Sequence, residues 1–119
     1  MRRVTVVYAH TPTGQRMHRI PDRLADRFGG YARDEPRLWG AAELERLDAW
    51  WLPQLRGRTL SIPVEALAAF RAECTRALDA ADRLAAESGC PEADIRQALR
   101  NFLRATDEAE AIGGWVEVR

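Results

Sequence analysis

The run from Pro63 to Glu87 constrains this chain more than any other stretch. Leu67, Phe70, Cys74, Ala77, Leu78, Ala81 and Leu84 recur at spacings of three and four, which places them on one stripe of an α-helix. The opposite face carries Glu73, Arg76, Asp79, Asp82 and Arg83, with Asp79 and Arg83 spaced for a surface ion pair. Pro63 suits the first helical position, Glu65 complements the positive end of the helix dipole, and Gly89 is a C-terminal stop. One unbroken helix of this length runs on the order of 37 Å, the width of a small domain. The rest of the chain must therefore cover its apolar side.

A second long helix follows. Cys90 reads as its N-cap and Pro91 as its first helical residue, with Glu92 and Asp94 in the first turn. Its core stripe is Ile95, Leu99, Phe102, Thr106 and Ala109, and Gly113-Gly114 ends it. The connection at Gly89 is very short, so the two long helices are expected to be antiparallel neighbours.

Strand signals are brief. Val4 to Tyr8 is β-branched and aromatic, and His10 to Gly14 has turn chemistry. Gln15 to Ile20 returns as the second arm of an N-terminal hairpin. Arg58 to Ile62 and Trp115 to Val118 supply a central and a C-terminal strand. Between them, Pro21 to Phe28 reads as a short helix with Leu24 and Phe28 facing the core. Tyr31 to Trp39 reads as a mobile charged loop, and Gly40 to Leu52 as a helix ended by Pro53. The expectation is a single α+β domain over residues 1–119. A small, mostly antiparallel sheet is packed by four helices, the last two a long antiparallel pair.

Charge narrows the function classes. The 18 basic and 18 acidic residues balance, and every basic residue is Arg. Residues 1–37 hold eight Arg against four acids, whereas residues 61–119 hold seven Arg against eleven acids. No apolar run approaches the ~20 residues that span a bilayer. Met1-Arg2-Arg3 leads into a strand and not into a signal-peptide core. A cytoplasmic protein without a membrane partner is the expectation. Cys74 lies on the apolar stripe and reads as a small buried hydrophobe, and no disulfide with Cys90 is expected in that compartment.

Residues that carry chemistry are few. Arg96, Arg100 and Arg104 form a ridge on the last helix, flanked by Glu92 and Glu108 at the same spacing of four. Such a ridge suits a carboxylate, a phosphate or an acidic partner, and equally a solvated face. Trp39, Trp50 and Trp51 sit close in sequence. Trp50 and Trp51 diverge by ~100° on a helix, so one of them is expected at the surface, as Trp often is at interface hot spots. Cys90 at a helix start invites a thiolate, but a nucleophile wants a base and the only histidines are His10 and His18 near the hairpin. No Cys or carboxylate stands at a metal-ligand spacing from them. No cofactor and no metal is expected.

Arg58-Thr-Leu-Ser-Ile-Pro-Val-Glu-Ala-Leu, the helix pair and the closing Gly113-Gly-Trp-Val-Glu-Val resemble small α+β immunity-type and uncharacterised proteins of Ala- and Arg-rich actinobacteria. The resemblance covers roughly the C-terminal half. It implies a bacterial protein that binds and neutralises a partner protein, as an immunity protein or antitoxin does. The leading expectation is therefore a non-enzymatic protein-interaction module using Arg96, Arg100, Arg104, Trp39 and Trp50. The first alternative is an Arg-mediated nucleic-acid binder using Arg2, Arg3, Arg16 and Arg19 around the hairpin. The second is a small enzyme or ligand-binding protein using the His10/His18/Cys90 region.

Overall fold

The structure is a computed structural model and describes residues 1–10 and 14–119. The turn expected from His10 to Gly14 falls, for residues 11–13, outside the described residues. Four strands, β1 (Val4–His10), β2 (Gln15–Arg19), β3 (Leu60–Ile62) and β4 (Trp115–Val118), form one sheet in the order β2-β1-β4-β3. Every neighbouring pair is antiparallel. The register sets the two faces. Val4 lies opposite Val118, and Val6 opposite Val116, while Leu60 and Ile62 meet the same two valines from the other side. All six side chains are buried in the main core. Because side chains alternate along a strand, Thr5, Val7, Trp115, Glu117 and Ser61 face the other way, together with Arg16 and His18 of β2.

The expected α+β architecture is present, with helices layered on one face of the sheet. They are α1 (Leu24–Arg27), α2 (Glu35–Leu38), α3 (Ala42–Arg46), α4 (Leu67–Asp79), α5 (Ala81–Ser88) and α6 (Glu92–Ile112). In α6 the whole expected stripe, Ile95, Leu99, Phe102, Thr106 and Ala109, is buried. Gly89 and Gly113 cap α5 and α6 in the left-handed conformation, at φ 74° and 69°. Phe102 sits at the centre, its ring 6.3 Å from that of Trp39 and 6.0 Å from that of Phe70. Arg71 ties α4 to α6 outside the core, reaching Asp107 and Glu110 at 2.7 Å each. Gly114 lets the chain turn from α6 into β4, since a Cβ there would run into the Val7 carbonyl oxygen.

Several elements differ from the sequence expectation. The helix over Pro63 to Glu87 is not one rod. It opens with a 3-10 turn at Val64–Ala66, with Pro63 as its cap, and breaks at Ala80 (φ −103°, ψ 15°). The Ala80 N–H is shared between the carbonyls of Arg76 and Ala77, which tightens the last turn of α4. Beyond the break α5 leans on α3: Arg83 meets Glu43 at 3.0 Å, and Glu87 accepts the Ala42 N–H at 2.8 Å. Arg83 is thus taken by Glu43 and not by Asp79. At the α6 start the cap is Pro91, one residue later than expected, and Cys90 is buried before it.

The helix expected over Pro21 to Phe28 shrinks to the single turn of α1, and Leu24 is 72% exposed. Phe28 does reach the core, but from extended backbone that bridges to Arg3. Asn101 explains the change: its amide donates to the carbonyls of Ala25 (2.8 Å) and Phe28 (2.9 Å) and holds the segment open. Tyr31 to Trp39 is not a free loop either. It folds into a 3-10 turn (Ala32–Asp34) and α2, with Asp34, Glu35, Leu38 and Trp39 buried. Glu35 accepts from the Arg2 guanidinium, with Nη2 at 3.1 Å, and from the Gly57 N–H at 2.8 Å. No helix among the described residues is long and apolar enough to cross a membrane.

Candidate functional site

The segment from Ala41 to Arg58 carries the exposed indole of Trp50. Its expected helix stops early. After α3 the chain enters the left-handed region at Asp48 (φ 56°), a conformation an Asp tolerates, and Ala49 N–H returns to the Leu44 carbonyl at 2.9 Å. Leu52–Gln54 is a separate 3-10 turn containing Pro53. Glu73 of α4, expected on the outer face, is buried instead, and its carboxylate accepts the N–H groups of Trp51 (3.1 Å) and Leu52 (2.7 Å). Arg76 donates to the Leu47 carbonyl at 3.0 Å, and Gln54 to the Trp50 carbonyl at 2.9 Å.

The main chain around Trp50 is therefore pinned from both sides, while its indole stands 70% exposed. Trp51 turns the other way and packs against the core. The two rings diverge as expected, although the divergence comes from an irregular turn and not from a helix. Replacing Glu73 with Ala orphans two N–H groups and should lower stability by about 1–3 kcal/mol. Glu73→Gln keeps one acceptor and should cost less. Paired urea melts check both, and equal midpoints for wild type and Glu73→Ala would disprove the anchoring role.

Ala49, Trp50, Pro53, Gln54, Arg56 and Arg58 line a depression of about 530 Å³. Arg56 donates to the Pro53 carbonyl at 3.1 Å. Arg58 has no hydrogen-bonding or ionic partner among the described residues. No acidic side chain lines the depression. An exposed indole beside two guanidinium groups can pack against apolar surface and donate to carboxylates at the same time.

The other expected site residues are scattered. Trp39 is only 1% exposed and belongs to the core, so it is not a surface anchor. On the α6 ridge, Arg96 pairs with Glu92 at 3.0 Å and Arg104 with Glu108 at 3.4 Å, and Arg104 also donates to the Asp26 carbonyl at 2.9 Å. Of these three arginines, Arg100 is the one left exposed and without a partner among the described residues. The ridge holds α1 in place, and no hydrogen bond or ion pair among the described residues links it to Trp50. Cys90 is 4% exposed with Sγ 3.9 Å from the Ser88 carbonyl and 4.0 Å from that of Asp34. His18 lies opposite Val7 on the helix-free sheet face, and His10 ends β1 opposite Gln15. The structure does not bring Cys90 and His18 together. Burial pushes the Cys74 thiol well up, so it is a core residue and no nucleophile at neutral pH. Among the described residues no cluster of His, Cys, Asp and Glu could hold a metal ion.

The four arginines named for nucleic acid also separate. Arg2 is taken by Glu35, and Arg19 by Glu108 at 3.3 Å and by the face of Tyr8. Arg3 and Arg16 remain on the helix-free face, Arg16 over the Trp115 ring at 5.8 Å. Arg27, Arg58 and Arg119, which line surface depressions, were not singled out from sequence. For Arg119 the signal was present, since Glu117 and Arg119 alternate with Val116 and Val118. No protein-family model, no curated protein and no solved structure matches this chain.

Proposed function

We propose that the chain is a non-enzymatic protein-interaction module that grips its partner through Trp50, Arg56 and Arg58. The carrying observation is the 70% exposed indole of Trp50 on a backbone that α4 holds rigid. A large apolar ring held in water without freedom to fold away loses little conformational entropy when a partner covers it. Arg56 and Arg58 beside it supply charge-assisted donors with no acid in the same depression, which favours a carboxylate-rich partner. The partner class that fits the immunity-type resemblance is a toxin, neutralised by occlusion.

Affinity capture from the source cells tests this, with wild type, Trp50→Ala, Arg58→Glu and Arg96→Ala run in parallel. One stoichiometric partner should be held by wild type and Arg96→Ala. Trp50→Ala should weaken it by about 2 kcal/mol, roughly 30-fold, with the melting midpoint unchanged. Arg58→Glu should weaken it further by repulsion. Expression of the isolated partner should halt growth, and co-expression of wild type but not Trp50→Ala should restore it. Capture indifferent to Trp50 would remove this surface from the reading, and a partner harmless on its own would remove the toxin.

A further inference from the structure

The helix-free face of the sheet carries a second site of a different kind. Arg3 and Arg119 lie directly opposite each other, exchanging backbone hydrogen bonds of 2.7 and 2.9 Å. Both side chains point to the open face, because Val4 and Val118 beside them point to the core. Like charges directly opposite on one face of an antiparallel pair repel. Glu117 relieves only one of them, since its buried carboxylate accepts from Arg119 Nε at 2.9 Å. Arg3 has no partner among the described residues.

Around this pair the surface sinks into a basin of about 380 Å³, within the ~300–1,000 Å³ of small-ligand sites. Arg3, Arg27, Arg119 and His18 bring donors to it, and no acidic side chain lines it. Arg27 is braced there by bonds to the carbonyls of Pro21 (2.6 Å) and Asp22 (3.3 Å). Met1 and Ile20, both more than half exposed, supply an apolar flank.

We propose that this basin binds a small soluble phosphate monoester, with the phosphate between Arg3 and Arg119 and its organic group against Ile20 and Met1. Arg3 offers a whole guanidinium fork, and Arg27 and Arg119 add the N–H groups that Pro21, Asp22 and Glu117 leave over; together these donors suit the three oxygens of a dianionic phosphate better than a single carboxylate. The positive charge is gathered in one basin and does not run on as a track. In the neighbouring hollow Arg16 is outnumbered by Glu65 and Glu117, and Arg2 and Arg19 are occupied elsewhere. That arrangement suits a small anion better than a polynucleotide backbone, which needs a series of phosphate contacts.

Calorimetric titration of the full chain with phenyl phosphate at low salt tests the assignment, with benzoate and inorganic phosphate beside it. Phenyl phosphate should bind saturably at one site, inorganic phosphate more weakly, and benzoate weakest. Arg3→Gln, which breaks no intramolecular bond, should weaken phenyl phosphate about tenfold. His18→Gln should weaken it less, and Arg58→Gln not at all. No saturable binding, or equal affinity in wild type and Arg3→Gln, would overturn the proposal. So would tighter binding of an unphosphorylated single-stranded oligonucleotide, which would make the face a polymer track. The residues differ from those of the Trp50 surface, so either proposal survives failure of the other.

Discussion

Phe102→Ala should destabilise the fold by about 4 kcal/mol, the usual cost of removing a fully buried ring. Phe102 is 0% exposed and packs between Trp39 and Phe70, so α6, α4 and the α2–α3 turn all lose a shared neighbour. Gly29 also approaches it: a Cβ there would lie 3.3 Å from the Phe102 ring. Trp39, Phe70 and Gly29 sit on elements held by other contacts, which limits collapse into the hole. Domains of this size are stable by ~5–15 kcal/mol, so the variant should melt far earlier in urea. Phe102→Leu fills most of the space and should cost markedly less. A loss below ~1 kcal/mol for Phe102→Ala would show that these three rings are not the centre of the core.

Breaking the Arg2–Glu35 pair should have the next largest effect, and it should depend on pH. Burial alone would raise the Glu35 carboxyl. The hydrogen bonds from Arg2 and Gly57 outweigh it and hold the group below its ordinary range. A carboxyl lowered in the folded state contributes stability that is complete above the unfolded value, ~4.3, and is lost as pH falls through the lower folded value. Arg2→Met leaves the carboxylate buried with one N–H donor and should cost about 2–3 kcal/mol at neutral pH. Glu35→Gln should flatten the acid limb of the stability curve. The double variant Arg2→Met/Glu35→Leu should recover part of the loss, since an apolar pair replaces a desolvated one. Urea melts from about pH 3 to 7 read all three, and an unchanged acid limb in Glu35→Gln would refute the assignment.

The contrast between the two halves of the chain explains what could be read from residues alone. In α6 and β4 the periodicity was sufficient: the apolar stripe, the glycine stop and the valine alternation each stand where spacing puts them. From Pro21 to Gln54 spacing failed for one physical reason. The segment is shaped by polar side chains reaching from elsewhere: Asn101 to the Ala25 and Phe28 carbonyls, Glu73 to the Trp51 and Leu52 N–H groups, Glu87 to Ala42. A pattern reading sends charged residues to the surface, yet Glu35, Glu43 and Glu73 are buried. The break at Ala80 had no local signal either, because Ala is the best helix former, and it is the docking of α5 on α3 that bends the rod. For the sites, Trp50 was legible as one of three indoles close in sequence. The Arg3–Arg119 pairing joins residues near the two ends of the sequence and needed the sheet register.

The carboxylate of Glu73 grips peptide groups and not side chains. The contour around Trp50 is thereby set in large part by a buried residue of another element. On the proposed reading, an exchange at Trp50 would alter what this surface offers a partner while leaving its contour intact, since the indole makes none of these bonds. A lineage could retarget such a surface one exchange at a time without passing through an unfolded ancestor.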